Sequence, residues 1–181
     1  MQSLPEGIRK NKAAVAEAIE NNVRRIIIDE SPINPKYYER MSKLLDALIA
    51  QRKQQALDYA AYLAKIVELT KQVQSGPGAA AYPQSLDTSA KRTLYDNFGN
   101  TEAFALQVDQ AVRAANQHDW RSNPFKVKKL RGAIKIAVEM YKIQGGTSPA
   151  PLKESYPGKR IAPEDELVEE ILELVKNQHE Y

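Results

Sequence analysis

Apolar residues recur at helical spacing along most of the chain. Over 8–28, Ile8, Val15, Ile19, Val23, Ile26 and Ile27 stand three, four or seven apart, the repeat that lines one face of an α-helix. Pro5 and Gly7 precede this stretch and Ser31-Pro32 closes it. Tyr37, Tyr38, Met41, Leu44, Leu45, Leu48 and Ile49 predict a second helix over 35–53. Asn34 is its candidate N-cap, and Pro35 fits the first helical position, where no N–H is needed. Leu57, Ala60, Leu63, Ile66, Val67 and Thr70 carry the pattern through 56–73. No Gly or Pro separates these two segments, so the spacing fits either one long rod or a hairpin bent near Arg52–Gln55.

The pattern stops at 74–86 (QSGPGAAAYPQSL), a stretch without charge that holds two Gly and two Pro and reads as a connection. Helices resume at about 88–98, capped by Asp87 or Thr88, and at about 101–117, capped by Asn100 or Thr101. Asn123-Pro124 opens a helix to about Ile143, with Val127, Leu130, Ile134, Val138 and Tyr141 inward. A second linker, 144–162, carries three prolines and reads as partly unordered. A last helix opens at Pro163, places Glu164, Asp165 and Glu166 at the positive end of its dipole, and runs to about Asn177. There is no alternating strand pattern and no internal repeat. The fold class is therefore all-α: an irregular bundle of about six or seven helices with two Pro/Gly-rich linkers. On sequence alone 1–181 is a single domain, made of long helices over 8–73, a second helical group over 87–143 and a terminal acidic helix over 163–178.

Composition narrows the chemistry. With no Cys among 181 residues, disulfides, thiolate metal sites, iron–sulfur clusters and a cysteine nucleophile are excluded. The two histidines, His118 and His179, are too few for a multi-histidine metal site. No charge-free apolar run approaches the roughly 18 residues of a membrane span, and MQSLPEGIRK has no apolar core of a secretory signal. The expectation is a soluble, cytoplasmic helical protein with no catalytic, cofactor or metal residues of its own.

Charge distribution says more than the formal net charge of +3. Residues 121–142 hold 7 basic side chains against 1 acidic, and 164–181 hold 7 acidic against 1 basic. Lys128, Arg131, Lys135 and Lys142 fall along one side of the 124–143 helix beside its apolar face. Arg121, Lys126 and Lys129 extend positive charge around the exposed side. Three readings stay open: a phosphate-backbone contact, docking on an acidic protein surface, or charges that face solvent or meet the acidic last helix. That last helix presents Leu167, Val168, Ile171, Leu174 and Val175 opposite Glu166, Glu169, Glu170 and Glu173, as a docking helix would. Five exposed aliphatics would promote aggregation, so they pack on this chain or on another.

Two stretches imitate catalytic motifs. Ile26-Ile27-Ile28-Asp29-Glu30 has the form of a magnesium-binding strand end, but the residues before it are helical and no G-x-x-x-x-G-K-[ST] loop exists to cradle phosphate. His118-Asp119-Trp120-Arg121-Ser122 gathers triad residue types in one helix-to-loop junction, whereas a triad needs them on separate supports around an oxyanion hole. Trp120 reads as a packing anchor between helices.

Several ordered phrases resemble one family over nearly the whole chain. These are Leu4-Pro5-Glu6-Gly7-Ile8-Arg9-Lys10-Asn11-Lys12, Glu20-Asn21-Asn22-Val23, Asn34-Pro35-Lys36-Tyr37-Tyr38-Glu39, and Ser85-Leu86 with Leu94-Tyr95-Asp96-Asn97. Trp120-Arg121-Ser122-Asn123-Pro124-Phe125-Lys126 and Ile171-Leu172-Glu173-Leu174-Val175-Lys176-Asn177-Gln178 complete the set. Together they resemble the C-terminal region of the R subunit (HsdR) of type I restriction endonucleases. The resemblance implies a parent subunit with a nuclease domain and two ATP- and Mg-dependent RecA-like motor domains that pull DNA. Its C-terminal helical domain joins the subunit to the methyltransferase–specificity core. Met1 would then mark a domain boundary and Tyr181 the natural end. None of the family's nuclease or motor motifs has a counterpart in these residues. The implied role is non-catalytic assembly, with two alternatives: a DNA-path element using the basic helix, or a brace on the motor domains of the same subunit.

Overall fold

The computed structural model of the chain describes residues 6–54, 58–78, 82–149 and 163–181. These residues form seven α-helices and no strand: α1 (Glu6–Glu30), α2 (Pro35–Lys53), α3 (Tyr59–Ser75), α4 (Ser89–Asn97), α5 (Glu102–Ala115), α6 (Pro124–Ile143) and α7 (Pro163–Lys176). A short 3-10 turn, Trp120–Ser122, precedes α6. The all-α expectation holds. Two compact units, each with its own core, divide the chain where the sequence suggests a single domain. The first holds α1–α3, and the second holds Pro32–Asn34 with Pro77–Tyr181. The main boundary falls inside the charge-free 74–86 connection.

In the first unit α2 and α3 form an antiparallel hairpin, so the bent alternative is the one realised. The hydroxyl of Tyr37 near the start of α2 donates to the Gln72 carbonyl near the end of α3, at 2.8 Å. Asp58 caps α3, its carboxylate accepting from Ala61 N at 2.7 Å. The core comprises Ala16, Val23 and Ile27 from α1, Tyr37, Tyr38, Met41 and Leu45 from α2, and Tyr62, Ile66, Leu69 and Val73 from α3.

Several apolar positions expected inside are outside. Val15, Leu44 and Val67 are 45%, 45% and 49% exposed. Packing of α1 against two helices selects the arc through Ala16, Glu20, Val23 and Ile27 instead. Glu20 can occupy that arc because its carboxylate accepts from Arg52 at 2.7 and 3.0 Å and from the Tyr62 hydroxyl at 2.9 Å. In α3 the buried line runs through Tyr62, Ile66, Leu69 and Val73; it keeps the expected Ile66, with Leu63 partly buried beside it, and turns Val67 outward. Leu57 and the side chain of Ile8 lie outside what the structure describes, as does the 150–162 part of the second linker.

In the second unit α4–α7 enclose a core that includes Leu94, Phe98, Phe104, Val108, Val112, Trp120, Leu130, Ile134, Val138 and Ile171. Helix ends follow local chemistry. Thr88 Oγ1 accepts from Lys91 N to cap α4, and Asn123 Oδ1 accepts from Phe125 N and Lys126 N to cap α6, with Pro124 first in the helix. Thr101 stands at the α5 N-cap without a side-chain bond. At the end of α6 the chain turns through Gly145 (φ 86°), with Gly145 N donating to Lys142 O and Gly146 N to Tyr141 O. These bonds satisfy carbonyls that the helix leaves open, and the turn needs a residue tolerant of positive φ.

Candidate functional site

The site is α6 and what surrounds it. At about 100° per residue its 20 residues present four sides. Leu130, Ile134 and Val138 are buried in the core, with Val127 and Tyr141 partly buried against it. The α5 side is marked by Gln107 Nε2, which donates to the Ala137 carbonyl at 3.0 Å. The third side carries cations toward α7. The fourth faces solvent and carries apolar side chains with Lys129 and Glu139 beside them: Phe125, Ile136, Met140 and Ile143 are 85%, 58%, 49% and 84% exposed.

Three of the four stripe cations meet the acidic last helix. Lys142 Nζ lies 2.5 Å from Glu164, Lys135 Nζ 2.8 Å from Asp165, and Arg131 Nε 2.5 Å from Glu169. The order of contacts shows that α7 runs antiparallel to α6. Hydrogen bonding to Asp165 and its negative charge raise the Lys135 ammonium above its ordinary value. All three pairs are about one-third to one-half exposed, so solvent screens them and each contributes little to stability. They fix register and leave holding α7 to its apolar side. Leu167, Val168, Ile171, Leu172, Leu174 and Val175 are all buried in the core of this unit, so the candidate docking helix is docked on its own domain.

The remaining candidates divide. Arg121 donates to the carbonyls of Lys176 (3.0 Å) and Gln178 (2.5 Å), and its guanidinium lies 4.8 Å from the Trp120 ring centre. It thus caps the negative end of α7. Lys126 Nζ donates to the His118 carbonyl at 2.5 Å. Lys128 and Lys129 are exposed and make no hydrogen bond or ion pair among the described residues.

The motif imitations resolve into structure. Trp120 is buried and its indole N–H points to the Tyr181 carbonyl at 3.5 Å, as expected of a packing anchor. His118 is solvent-exposed beside Asp119, and Ser122 Oγ donates to the Asp119 backbone carbonyl, so the three side chains do not converge. Asp29 and Glu30 lie at the end of α1, with Asp29 3.8 Å from Arg25. Among the described residues no group of three or more His, Asp or Glu is placed to hold a metal, and no helix is long and apolar enough to cross a membrane.

Sequence reasoning missed the polar network below α7. The Tyr181 hydroxyl donates to the Asp109 carboxylate at 2.5 Å, and Arg113 pairs with that carboxylate at 2.9 Å. Glu180 accepts from Ser89 N and Ala90 N, placing a carboxylate at the positive end of α4. Burial, and then the bond to Asp109, push the Tyr181 hydroxyl well above its ordinary pKa. A second cluster joins Asn34, Asp96, Asn97 and Tyr82: Asn34 Nδ2 and the Tyr82 hydroxyl both donate to Asp96, and Asn97 Nδ2 donates to Asn34. The one available signal was position: Asp109 lies among Phe104, Ala105, Val108 and Val112 on the inward face of α5.

Comparison of this chain with protein-family models, with curated proteins and with solved structures finds no match to any of them.

Proposed function

We propose that the chain is a non-catalytic assembly domain of a type I restriction R subunit, which joins that subunit to the methyltransferase–specificity core. The family rests on the ordered phrases quoted above. The observation that favours assembly over a DNA path is the partnering of the basic stripe. Arg131, Lys135 and Lys142 face carboxylates of α7, and Arg121 faces carbonyls at its end. Side chains that would release counterions from a duplex are engaged in seating the terminal helix. Beyond them α6 shows Phe125, Ile136, Met140 and Ile143 to solvent beside the exposed Lys128, Lys129 and Glu139, the mixed character of a protein contact.

The test is co-purification of the R subunit with the assembled core, with and without this region. Retention should be lost on deletion. Undiminished retention would refute the assembly role. Binding of the chain to random duplex with a steep salt dependence, lost on charge reversal at Lys128 and Lys129, would favour the DNA path instead.

A further inference from the structure

The outward side of α6 combines three features that nothing else in the described chain explains. Phe125, Ile136, Met140 and Ile143 form an apolar line along the whole helix, exposed from end to end. Gly132 stands in the middle of that line. A glycine inside a helix is less favourable than alanine, yet a Cβ added here would meet nothing within 4 Å. No contact within this chain requires the missing side chain. Gly132 lies with Ile136 and Met140 along an open groove that α6 forms with α5, and a bare backbone point there is what allows another helix to approach closely. Lys129 and Glu139 flank the line, exposed and without an ion-pair partner within 4 Å among the described residues.

The arrangement is its own complement. Turn a second α6 antiparallel about the level of Ile134, and Gly132 faces Ile136 of the copy while Ile136 faces its Gly132. Phe125 then faces Ile143, and Lys129 faces Glu139, each twice. Reciprocal knob-and-hole and charge pairing across a two-fold axis is the signature of an isologous interface, in which one patch serves both partners. We propose that the outward side of α6 docks on the same side of a second copy of this chain, antiparallel, with Gly132 and Ile136 at the crossing. The proposal goes beyond the assembly role and stands without it, since it concerns only this chain with itself.

The experiment is the mass of the full chain in solution from micromolar to hundreds of micromolar concentration, by sedimentation equilibrium, for the parent and for variants. The parent should rise from 20.3 kDa toward twice that mass. Lys129→Glu or Glu139→Lys alone should weaken association about tenfold, because two attractive pairs become repulsive. The double variant K129E/E139K, which swaps the pair, should regain the parent's association. Gly132→Leu should abolish association without lowering the unfolding midpoint, since its side chain enters open space in the free chain. A parent chain monomeric at every concentration would overturn the proposal, and so would a charge swap that fails to restore what each reversal removes. Monomeric behaviour with core binding lost in G132L would give the face to the methyltransferase–specificity core. Monomeric behaviour together with α6 amide protection that vanishes when residues 150–162 are removed would give it to that segment.

Discussion

Truncating Ile171 to Ala tests whether α7 belongs to its own domain. Ile171 is fully buried and sits among Leu130, Ile134 and Trp120 in one core. Removing a buried isoleucine side chain to the β-carbon costs about 2–5 kcal/mol, the spread reflecting how far the site can collapse. With a urea slope of about 2 kcal/mol per molar, that loss moves the unfolding midpoint down by about 1–2.5 M. The assay is tryptophan fluorescence, because Trp120 is the only tryptophan and lies in this core, so the signal reports the second unit alone. Arg131→Ala, which removes a half-exposed ion pair to the same helix, should move the midpoint much less. If I171A shifts the midpoint by less than about 0.3 M, α7 is not part of the cooperative core and the self-docked arrangement is wrong.

Other outcomes follow from particular contacts. Arg52→Met leaves the buried Glu20 carboxylate without its cation and should cost the first unit about 3–5 kcal/mol, read by hydrogen exchange of α1–α3 amides; a loss below about 1 kcal/mol would contradict the pairing. The Tyr181 hydroxyl has a raised folded pKa, so its stabilising effect is complete below the unfolded value near 10 and fades as pH rises through the folded value. Thermal midpoints of the second unit should therefore fall above about pH 10, and Tyr181→Phe should flatten that fall; an unchanged alkaline limb would show that Tyr181 does not cause it. Burial raises Tyr38 to about 12, so an absorbance titration should show it ionising later than an exposed tyrosine, and an ordinary midpoint would mean that Tyr38 is not buried. Finally, random duplex should bind the chain weakly with a flat salt slope, and K128E should not change it.

Helices were legible where the sequence marks both ends. Asn123-Pro124 and Pro163 supply an N-cap or a first-turn proline, and the stripes that follow are apolar throughout, so α6 and α7 lie close to where periodicity puts them. The buried face was misread where a small or charged residue takes an inward position. Ala16 and Glu20 outrank Val15 because the arc of α1 is set by two packing partners, and a carboxylate fits there once Arg52 and Tyr62 satisfy it. Hydrophobicity along a single helix carries no trace of that partner geometry. The basic stripe was visible as a stripe, but its antiparallel match to Glu164, Asp165 and Glu169 depends on how the last helix returns across residues 144–162. The Asp109–Tyr181 bond was hidden for a different reason: residues 178–181 have no period, and Asp109 lies 72 residues before Tyr181 in sequence.

The central claim, assembly without chemistry of its own, is met most directly by native mass measurement of this chain mixed with the assembled methyltransferase–specificity core. The account predicts a complex heavier than the core by whole multiples of 20.3 kDa, formed without ATP or DNA. A core whose mass is unchanged in the presence of excess folded chain would contradict it.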